Sequence, residues 1–179
     1  MKWCINIMLV FCMTILAGCV MNYKDFKAVT IKQSGEFELD ISSDQALPLF
    51  TAPGEKLWIP IWDPVILYGD GVEKGTVWVT TNHGSTTYWY VEKYDADKKS
   101  ARYVRVTPDA DIGTVDVLLS SLGNNKTKVS VTYTLTGLSD DGNKNVEKML
   151  HRVAYDSMMV EWKNMVDQSR EAIDDHFGR

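Results

Sequence analysis

The stretch STTYWYVEKYDADKKSARYVRVT, residues 85–107, decides how the chain folds. It holds two runs of β-branched and aromatic residues, separated by the polar segment DADKK, whose composition is typical of a turn. Two strands joined by so few residues must be antiparallel, because a parallel connection needs a crossover of about a dozen residues or more. The stretch therefore predicts a β-hairpin.

The same pattern continues on both sides of this hairpin. Residues 75–84, 112–123 and 128–139 are rich in Val, Thr, Leu and aromatic residues, and turn-like segments such as NHGS and GNNK separate them. None of the connections leaves room for a crossover helix. The region from residue 75 onward therefore predicts an antiparallel sheet.

The chain before this sheet begins with a further strand and two short helices. Residues 28–42 alternate as a strand does, and Gly35 at the middle indicates a bulge or bend. Residues 43–50 and 52–58 are short helical segments, and Pro53 suits the first turn of the second one.

A long helix is predicted at the carboxyl end, over about residues 144–176, with Gly178 following as a stop signal. At 1.5 Å per residue such a helix is about 50 Å long, so it needs a curved sheet to lie in. Its apolar stripe, at steps of three and four residues, consists of Val146, Met149, Leu150, Val153, Met158, Trp162, Met165, Val166 and Ile173.

Several pieces of the chain match one known family. PGEKLWIPIWDPVILY (residues 53–68), GTVWVTT, YWYVEKYD, RYVRVTP, KVSVTYTLTGLS and a later EW resemble the SRPBCC superfamily, also called START-like or Bet v 1-like, over about residues 35–170. The resemblance implies an α+β helix-grip fold for residues 29–179. In this fold a curved antiparallel sheet of six to seven strands wraps a long C-terminal helix, and two short helices follow the first strand.

The resemblance also implies a deep apolar cavity between the sheet and the long helix. Members of the superfamily bind lipids, sterols, polyketides and other hydrophobic molecules, and some are cyclases or dehydratases. On this resemblance the ligand-binding residues are Trp58, Trp62, Trp78, Trp89, Tyr103, Arg105, Tyr133, Met158 and Trp162. Each of the apolar ones has core packing as its alternative.

The choice between core packing and ligand contact matters most for the segment LWIPIW, residues 57–62. Trp58 and Trp62 follow the second short helix, where the cavity entrance of the family lies, and Pro60 and Pro64 predict extended geometry there. A tryptophan buries a large apolar face while its N–H still needs a partner, which suits both a core plug and a ligand rim. The sequence leaves both interpretations open.

Three polar residues are candidates for acid–base or head-group chemistry inside the cavity. His83 is a base if it faces inward, and Arg105 is a partner for a carboxylate or phosphate group, with Glu92 as its counter-charge. The alternatives are a solvent-exposed His83 in a turn and an Arg105 paired with a carboxylate across the sheet.

No catalytic, metal or cofactor motif accompanies these residues. The sequence has three histidines, and no nucleophile elbow, phosphate loop or dinucleotide fingerprint is present. The segment DGNKN, residues 141–145, fails as a calcium loop because Val146 stands where that loop needs Gly. Asp140 and Asp141 are interpreted instead as the first-turn charge and cap of the long helix.

The amino terminus predicts a bacterial lipoprotein. Residues 1–18 have the layout of a signal peptide, and Leu16-Ala17-Gly18-Cys19 resembles a lipobox. The resemblance implies cleavage before Cys19, a diacylglyceryl thioether on its sulfur and acylation of the new amino terminus, for example by palmitate. Residues 19–28 would then tether the domain to the membrane of the cell envelope, on the periplasmic face of the outer membrane in a Gram-negative cell.

The charge composition excludes some classes of binding partner. With 24 acidic and 19 basic residues, the formal net charge of -5 argues against nucleic acid and against attraction to anionic lipid head groups. The leading hypothesis is a membrane-anchored lipoprotein whose cavity binds a lipid-like or other apolar molecule. The alternatives are a cyclase-like or dehydratase-like enzyme acting on a small hydrophobic substrate, and a structural lipoprotein with a closed core that binds a protein partner.

Overall fold

The computed structural model describes residues 25–82 and 84–178. The predicted signal peptide, the lipidation site Cys19 and the candidate base His83 lie outside these residues. The strands are β1 (Thr30–Leu39), β2 (Val65–Tyr68), β3 (Val77–Asn82), β4 (Ser85–Asp95), β5 (Ser100–Thr107), β6 (Asp111–Gly123) and β7 (Lys126–Gly137). The helices are α1 (Ser43–Ala46), α2 (Ala52–Glu55), α3 (Asp140–Met149), α4 (Arg152–Gln168) and α5 (Arg170–His176), with a 3-10 turn at Leu47–Phe50.

The seven strands form one antiparallel sheet in the order β1-β7-β6-β5-β4-β3-β2. The predicted hairpin is β4 and β5. Side chains of β1, β5, β6 and β7 alternate between buried and exposed, which gives the sheet one face toward a core. The helices after β7 pack on that face, and the two short helices after β1 lie as predicted. The helix-grip architecture is confirmed.

The prediction of one continuous helix at the carboxyl end is wrong, because this part of the chain forms three consecutive helices, α3, α4 and α5. His151, between α3 and α4, has extended backbone angles of φ -60 and ψ 135. The interruption moves the apolar stripe by one residue, so that Leu150 is followed on the core side by Tyr155, five positions later. Val153, which was predicted to face the core, is exposed. The break lets α3 pack on β7 and α4 on β1, so the chain follows the curved sheet.

Of the bulge or bend predicted at Gly35, the bulge is wrong, since β1 pairs with β7 without a register shift from Thr30 to Leu39. Gly35 instead permits a close approach of α4. A Cβ atom placed on it would lie 2.5 Å from Cγ of Met159 and 3.1 Å from the ring of Tyr155. The glycine therefore sets how closely the helix and the sheet pack.

The first turn of α3 carries the predicted negative charges, Asp140 and Asp141. The cap itself is Ser139, whose hydroxyl accepts a hydrogen bond from the amide of Gly142 at 2.9 Å. Within residues 25–82 and 84–178, no helix has the length and apolar character needed to cross a membrane.

Substitution of Gly35 by Ala should displace Met159 and loosen the contact between β1 and α4. We expect the free energy of unfolding to fall by about 1–3 kcal/mol, measured by urea denaturation. Glu38→Ala, on the exposed side of the same strand, is the matched control and should change it by less than about 0.5 kcal/mol. Equal stability of Gly35→Ala and wild type would contradict the close approach.

Candidate ligand-binding site

An outer pocket of about 570 Å³ opens between strands β3 to β5 and the segment that follows α2. Strand residues Thr80, Thr87 and Arg105 contribute to one side of it, and Pro60 and Ile61 contribute to the other. Ile61 is fully exposed at the rim. The volume lies within the range of about 300–1,000 Å³ that is usual for small-molecule sites.

A small inner cavity of about 20 Å³ lies deeper, toward the core. A space of this size holds about one water molecule. Both spaces are bordered by the same five side chains, which we call the waist: Glu55, Trp62, Trp89, Tyr133 and Trp162. The core side of the inner cavity is completed by Phe50, Trp78, Tyr103, Val115 and Val117.

The register of the sheet brings three of the predicted residues into one row. Trp78 pairs with Trp89, and Trp89 pairs with Arg105 on the next strand, so all three side chains share a face. The two indole rings stack with centroids 5.8 Å apart and planes at 2°. The guanidinium carbon of Arg105 lies 5.4 Å from the centroid of the Trp89 ring. Tyr88 and Tyr90, on the other face of β4, are exposed.

The counter-charge of Arg105 is Asp111, not Glu92 as predicted. Nε of Arg105 lies 3.2 Å from a carboxylate oxygen of Asp111, and both side chains are largely buried. A second guanidinium nitrogen contacts Thr107 and the other Asp111 oxygen, at 3.2 and 3.3 Å. Glu92 instead lies 3.9 Å from Arg102. Burial raises the pKa of Asp111, while the charge of Arg105 acts in the opposite direction.

Glu55, the last residue of α2, is a site residue that the sequence interpretation missed. The residue is half-buried and borders both the pocket and the inner cavity, and its carboxyl group has no hydrogen bond or ion pair within the described part of the chain. Burial raises its pKa to about 8. The available signal was its spacing of three residues from the buried Trp58, which turns Glu55 toward the interior.

Tyr133 is a second polar group without a protein partner. The residue is buried, it borders the pocket and the inner cavity, and its hydroxyl forms no hydrogen bond among the described residues. Burial raises the pKa of Tyr133 to about 12, with Arg105 acting against the shift and Glu55 adding to it. Tyr133, Glu55 and Arg105 all border the outer pocket.

The two tryptophans of LWIPIW have different positions. Trp58 is buried, donates a hydrogen bond to the carbonyl of Leu49 at 2.7 Å and packs edge-on against Phe50. It lines neither space and is therefore a core residue in this structure. Trp62 is half-buried at the waist, where it donates to the carbonyl of Ala52 at 3.1 Å and packs edge-on against Trp89.

The remaining predicted residues lie deeper or elsewhere. Trp78 and Tyr103 border the inner cavity only, and the Tyr103 hydroxyl donates to the carbonyl of Phe50 at 2.7 Å. Nε1 of Trp78 is buried without an acceptor in the part of the chain described. Trp162 belongs to the waist, whereas Met158 packs against the core and borders neither space.

The segment after α2 was predicted to be extended around Pro60 and Pro64, but at Pro60 it forms a tight turn. The amide of Trp62 donates to the carbonyl of Ile59 at 3.3 Å, and Ile61 has φ 57. Proline suits the second position of such a turn, which places the next residue in the left-handed region where glycine is usual. This conformation holds the Ile61 side chain out at the pocket rim at a cost in backbone strain.

The pocket carries no recognisable metal site. No group of three or more His, Cys, Asp or Glu residues that could hold a metal ion occurs among residues 25–82 and 84–178. His83, the candidate base, cannot be placed relative to the pocket because it lies outside the described residues.

The architecture is similar to that of several solved structures. Ara h 8.0201 has a TM-score of 0.58 at 15% identity, with 78% of this chain and 99% of that protein covered. Norcoclaurine synthase from Thalictrum flavum, in complex with dopamine and hydroxybenzaldehyde, has a TM-score of 0.57 at 16% identity, with 79% and 88% covered. A Rhizobium loti protein has a TM-score of 0.53 at 13% identity, with 76% and 99% covered.

The chain has the Bet v 1-like helix-grip fold. No protein-family model and no curated protein matches the sequence. At these low identities the similarity shows the fold alone. In this helix-grip chain the waist residues lie between the outer pocket and the inner cavity and border both.

The raised pKa of Glu55 should make stability depend on pH. Above pH 4.5 the Glu55 carboxyl group loses its proton in the unfolded chain, whereas in the folded chain it keeps the proton up to about pH 8. The free energy of unfolding therefore falls as the pH rises from 4.5 to about 8. Glu55→Gln should therefore match wild type near pH 4 and exceed it by about 2 kcal/mol at pH 9. This difference in stability is smaller than a completely buried carboxyl group would give, because Glu55 borders the pocket.

Urea denaturation at both pH values measures this difference. Glu73→Gln, at an exposed position, is the control and should leave the pH profile of wild type unchanged. A parallel profile for Glu55→Gln and wild type would show that the carboxyl group is hydrated in the folded state.

Proposed function

We propose that this protein is a membrane-anchored lipoprotein whose pocket binds a small hydrophobic molecule. The observation that carries the proposal is the aromatic pocket of about 570 Å³, which shares the waist residues with a small cavity on the core side. A closed core would favour the alternative of a purely structural lipoprotein. The open pocket supports the binding function instead.

The rim of the pocket suits the entry of an apolar ligand. Ile61 stands fully exposed there, and Val65 at the start of β2, which also lines the pocket, is exposed as well. Exposed apolar groups next to a cavity are a common mark of a ligand-binding site. Norcoclaurine synthase, with the same fold, holds dopamine and hydroxybenzaldehyde, so this architecture accommodates aromatic molecules in that protein.

An enzyme acting on a hydrophobic substrate is the second candidate function. Glu55 favours it, because a carboxyl group with a pKa of about 8 at the waist is suited to proton transfer near neutral pH. Arg105, which the sequence had suggested for such chemistry, is engaged by Asp111. Substrate turnover that is lost in Glu55→Gln without loss of stability would favour this candidate.

The anchor is part of the proposal and is supported by the sequence alone. The lipobox-like Leu16-Ala17-Gly18-Cys19 precedes a segment of only ten residues before β1 begins at Thr30. A lipid on Cys19 would therefore hold the pocket near the surface of the envelope membrane. In a Gram-negative cell we propose the periplasmic face of the outer membrane.

Native mass spectrometry tests the binding function. We expect protein from residue 20 onward, purified without detergent, to carry a stoichiometric apolar adduct or to gain one when fatty acids or aromatic ketones are added. Extraction with organic solvent and mass analysis would then identify the molecule. A bare mass that no apolar compound shifts would refute the proposal.

Two tryptophan variants distinguish the pocket from the core. Trp62→Ala should weaken adduct formation while changing stability little, because Trp62 is a half-buried waist residue. Trp58→Ala should instead lower the free energy of unfolding by about 3–5 kcal/mol. If both variants still carry the adduct, the ligand binds outside the waist.

Membrane attachment is tested separately by Cys19→Ser. In a bacterial host, wild type should take up labelled palmitate and fractionate with membranes, whereas the variant should do neither. Palmitate labelling of the variant would contradict lipidation at Cys19.

A further inference from the structure

The waist and the inner cavity collect polar groups that have no partner in the described protein. They are the carboxyl group of Glu55, the hydroxyl of Tyr133 and the indole N–H groups of Trp78 and Trp162. Trp78 and Tyr133 are both more than nine-tenths buried. Nε1 of Trp78 is fully buried without an acceptor, which is rare in native proteins, whereas the other three groups reach the open space of the pocket or the cavity. All four are therefore available to a ligand.

Comparable aromatic groups next to the cavity do have partners. The side chains of Trp58, Trp62 and Tyr103 donate to main-chain carbonyl groups, and Trp89 donates to the hydroxyl of Thr80 at 3.0 Å. The packing of this region can therefore satisfy an indole or phenol group. The aromatic groups without a partner, Tyr133, Trp78 and Trp162, all border the inner cavity.

All of the partnerless groups can donate a hydrogen bond. Tyr133, Trp78 and Trp162 donate through O–H or N–H. Glu55 also donates near neutral pH, since burial raises its pKa to about 8 and the group keeps its proton. A carboxylic acid held neutral by an apolar site can donate to an oxygen of a ligand.

We propose that Glu55 and Tyr133, with Trp78 on the core side, form a hydrogen-bond-donating site for the carbonyl oxygen of an apolar ligand. This inference rests on the proposed binding function and narrows it to a chemical class, namely aromatic or alicyclic carbonyl compounds. The apolar part of the ligand lies in the outer pocket, and its carbonyl group points to the waist.

The surroundings are less suited to charged ligands. A carboxylate would need Arg105, which Asp111 already engages. An ammonium group would need an open aromatic face, but the Trp89 ring already contacts Trp78 and Arg105, its neighbours on the two flanking strands. A neutral oxygen acceptor matches the donors that remain.

A matched pair of probes tests the inference: 2-acetylnaphthalene, which has a carbonyl group, and 2-ethylnaphthalene, which has the same ring and nearly the same size. Titration calorimetry uses the full chain in lipid nanodiscs, with empty nanodiscs as the blank. We expect Tyr133→Phe and Glu55→Leu each to weaken binding of the ketone by about tenfold and to leave binding of the hydrocarbon nearly unchanged.

Tyr155→Phe is the control variant. Tyr155 borders neither space and its hydroxyl donates to the carbonyl of Val131, so its removal should not change the ratio of the two affinities. Urea denaturation of each variant confirms that it is folded under the titration conditions. A tenfold change of the ratio in Tyr155→Phe as well would overturn the assignment to Glu55 and Tyr133.

The pH dependence provides a second readout. The charged and titratable groups around Glu55 are Tyr103 and Tyr133, with Arg105 and Asp63 bordering the same pocket. Only Glu55 has a raised pKa near 8, so the preference of wild type for the ketone should fall between pH 6.5 and 9.5. In Glu55→Gln the preference should stay constant over this range.

The outcomes separate this inference from the proposed function. If both naphthalenes bind and no variant changes their ratio, the pocket binds apolar molecules but the donor site is wrong. If 2-(aminomethyl)naphthalene or 2-naphthoate binds more tightly than the ketone, the site recognises charge and the inference fails. If no probe binds at any concentration reached, the proposed function fails with it.

Discussion

The contact between α4 and β1 at Gly35 determines where this fold can hold a cavity. The helix packs mainly on β1, where Met159 and Tyr155 occupy the space that a side chain at position 35 would need. Tyr155 is fully buried and donates to the carbonyl of Val131 at 3.0 Å, which fixes this end of the helix on the sheet. The face of β3 to β5 is left to be covered by aromatic side chains and by the segment after α2, and these large, rigid groups leave a pocket between them.

The sheet could be predicted because its signals are local. Residue type, alternation and short turns lie within ten or so positions along the chain, and the hairpin at residues 85–107 needs nothing else. The break at His151 could not be predicted in the same way. Val153 and Tyr155 are both reasonable core residues, and only the curvature of the sheet determines that Tyr155 is buried. The role of Gly35 was hidden for a similar reason, because the helix that approaches it is far away in sequence.

The candidate site also has a part that the sequence could predict and a part that it could not. Its aromatic residues could be nominated from their type, and Trp62, Trp78, Trp89, Tyr103 and Trp162 do border the two spaces. Its polar pairing depends on register. Arg105 lies opposite Gly113, and this places Asp111, two residues earlier on the same face, beside it. Glu92 lies three residues beyond Trp89, the partner of Arg105 on β4, so the register brings it beside Arg102 instead.

The unpaired groups at the waist and the inner cavity are the strongest sign of function, because the packing of the fold does not need them. The N–H of Trp78, which is buried without an acceptor, costs about 1–3 kcal/mol of stability. Phenylalanine at position 133 would keep the packing against Tyr155, whose ring centroid lies 6.0 Å away, and would remove an unpaired hydroxyl. The same holds for leucine at position 55. A fold that satisfies Trp58, Trp62 and Tyr103 with nearby carbonyl groups but leaves Glu55, Tyr133 and Trp78 unpaired is arranged for a partner that enters from the pocket.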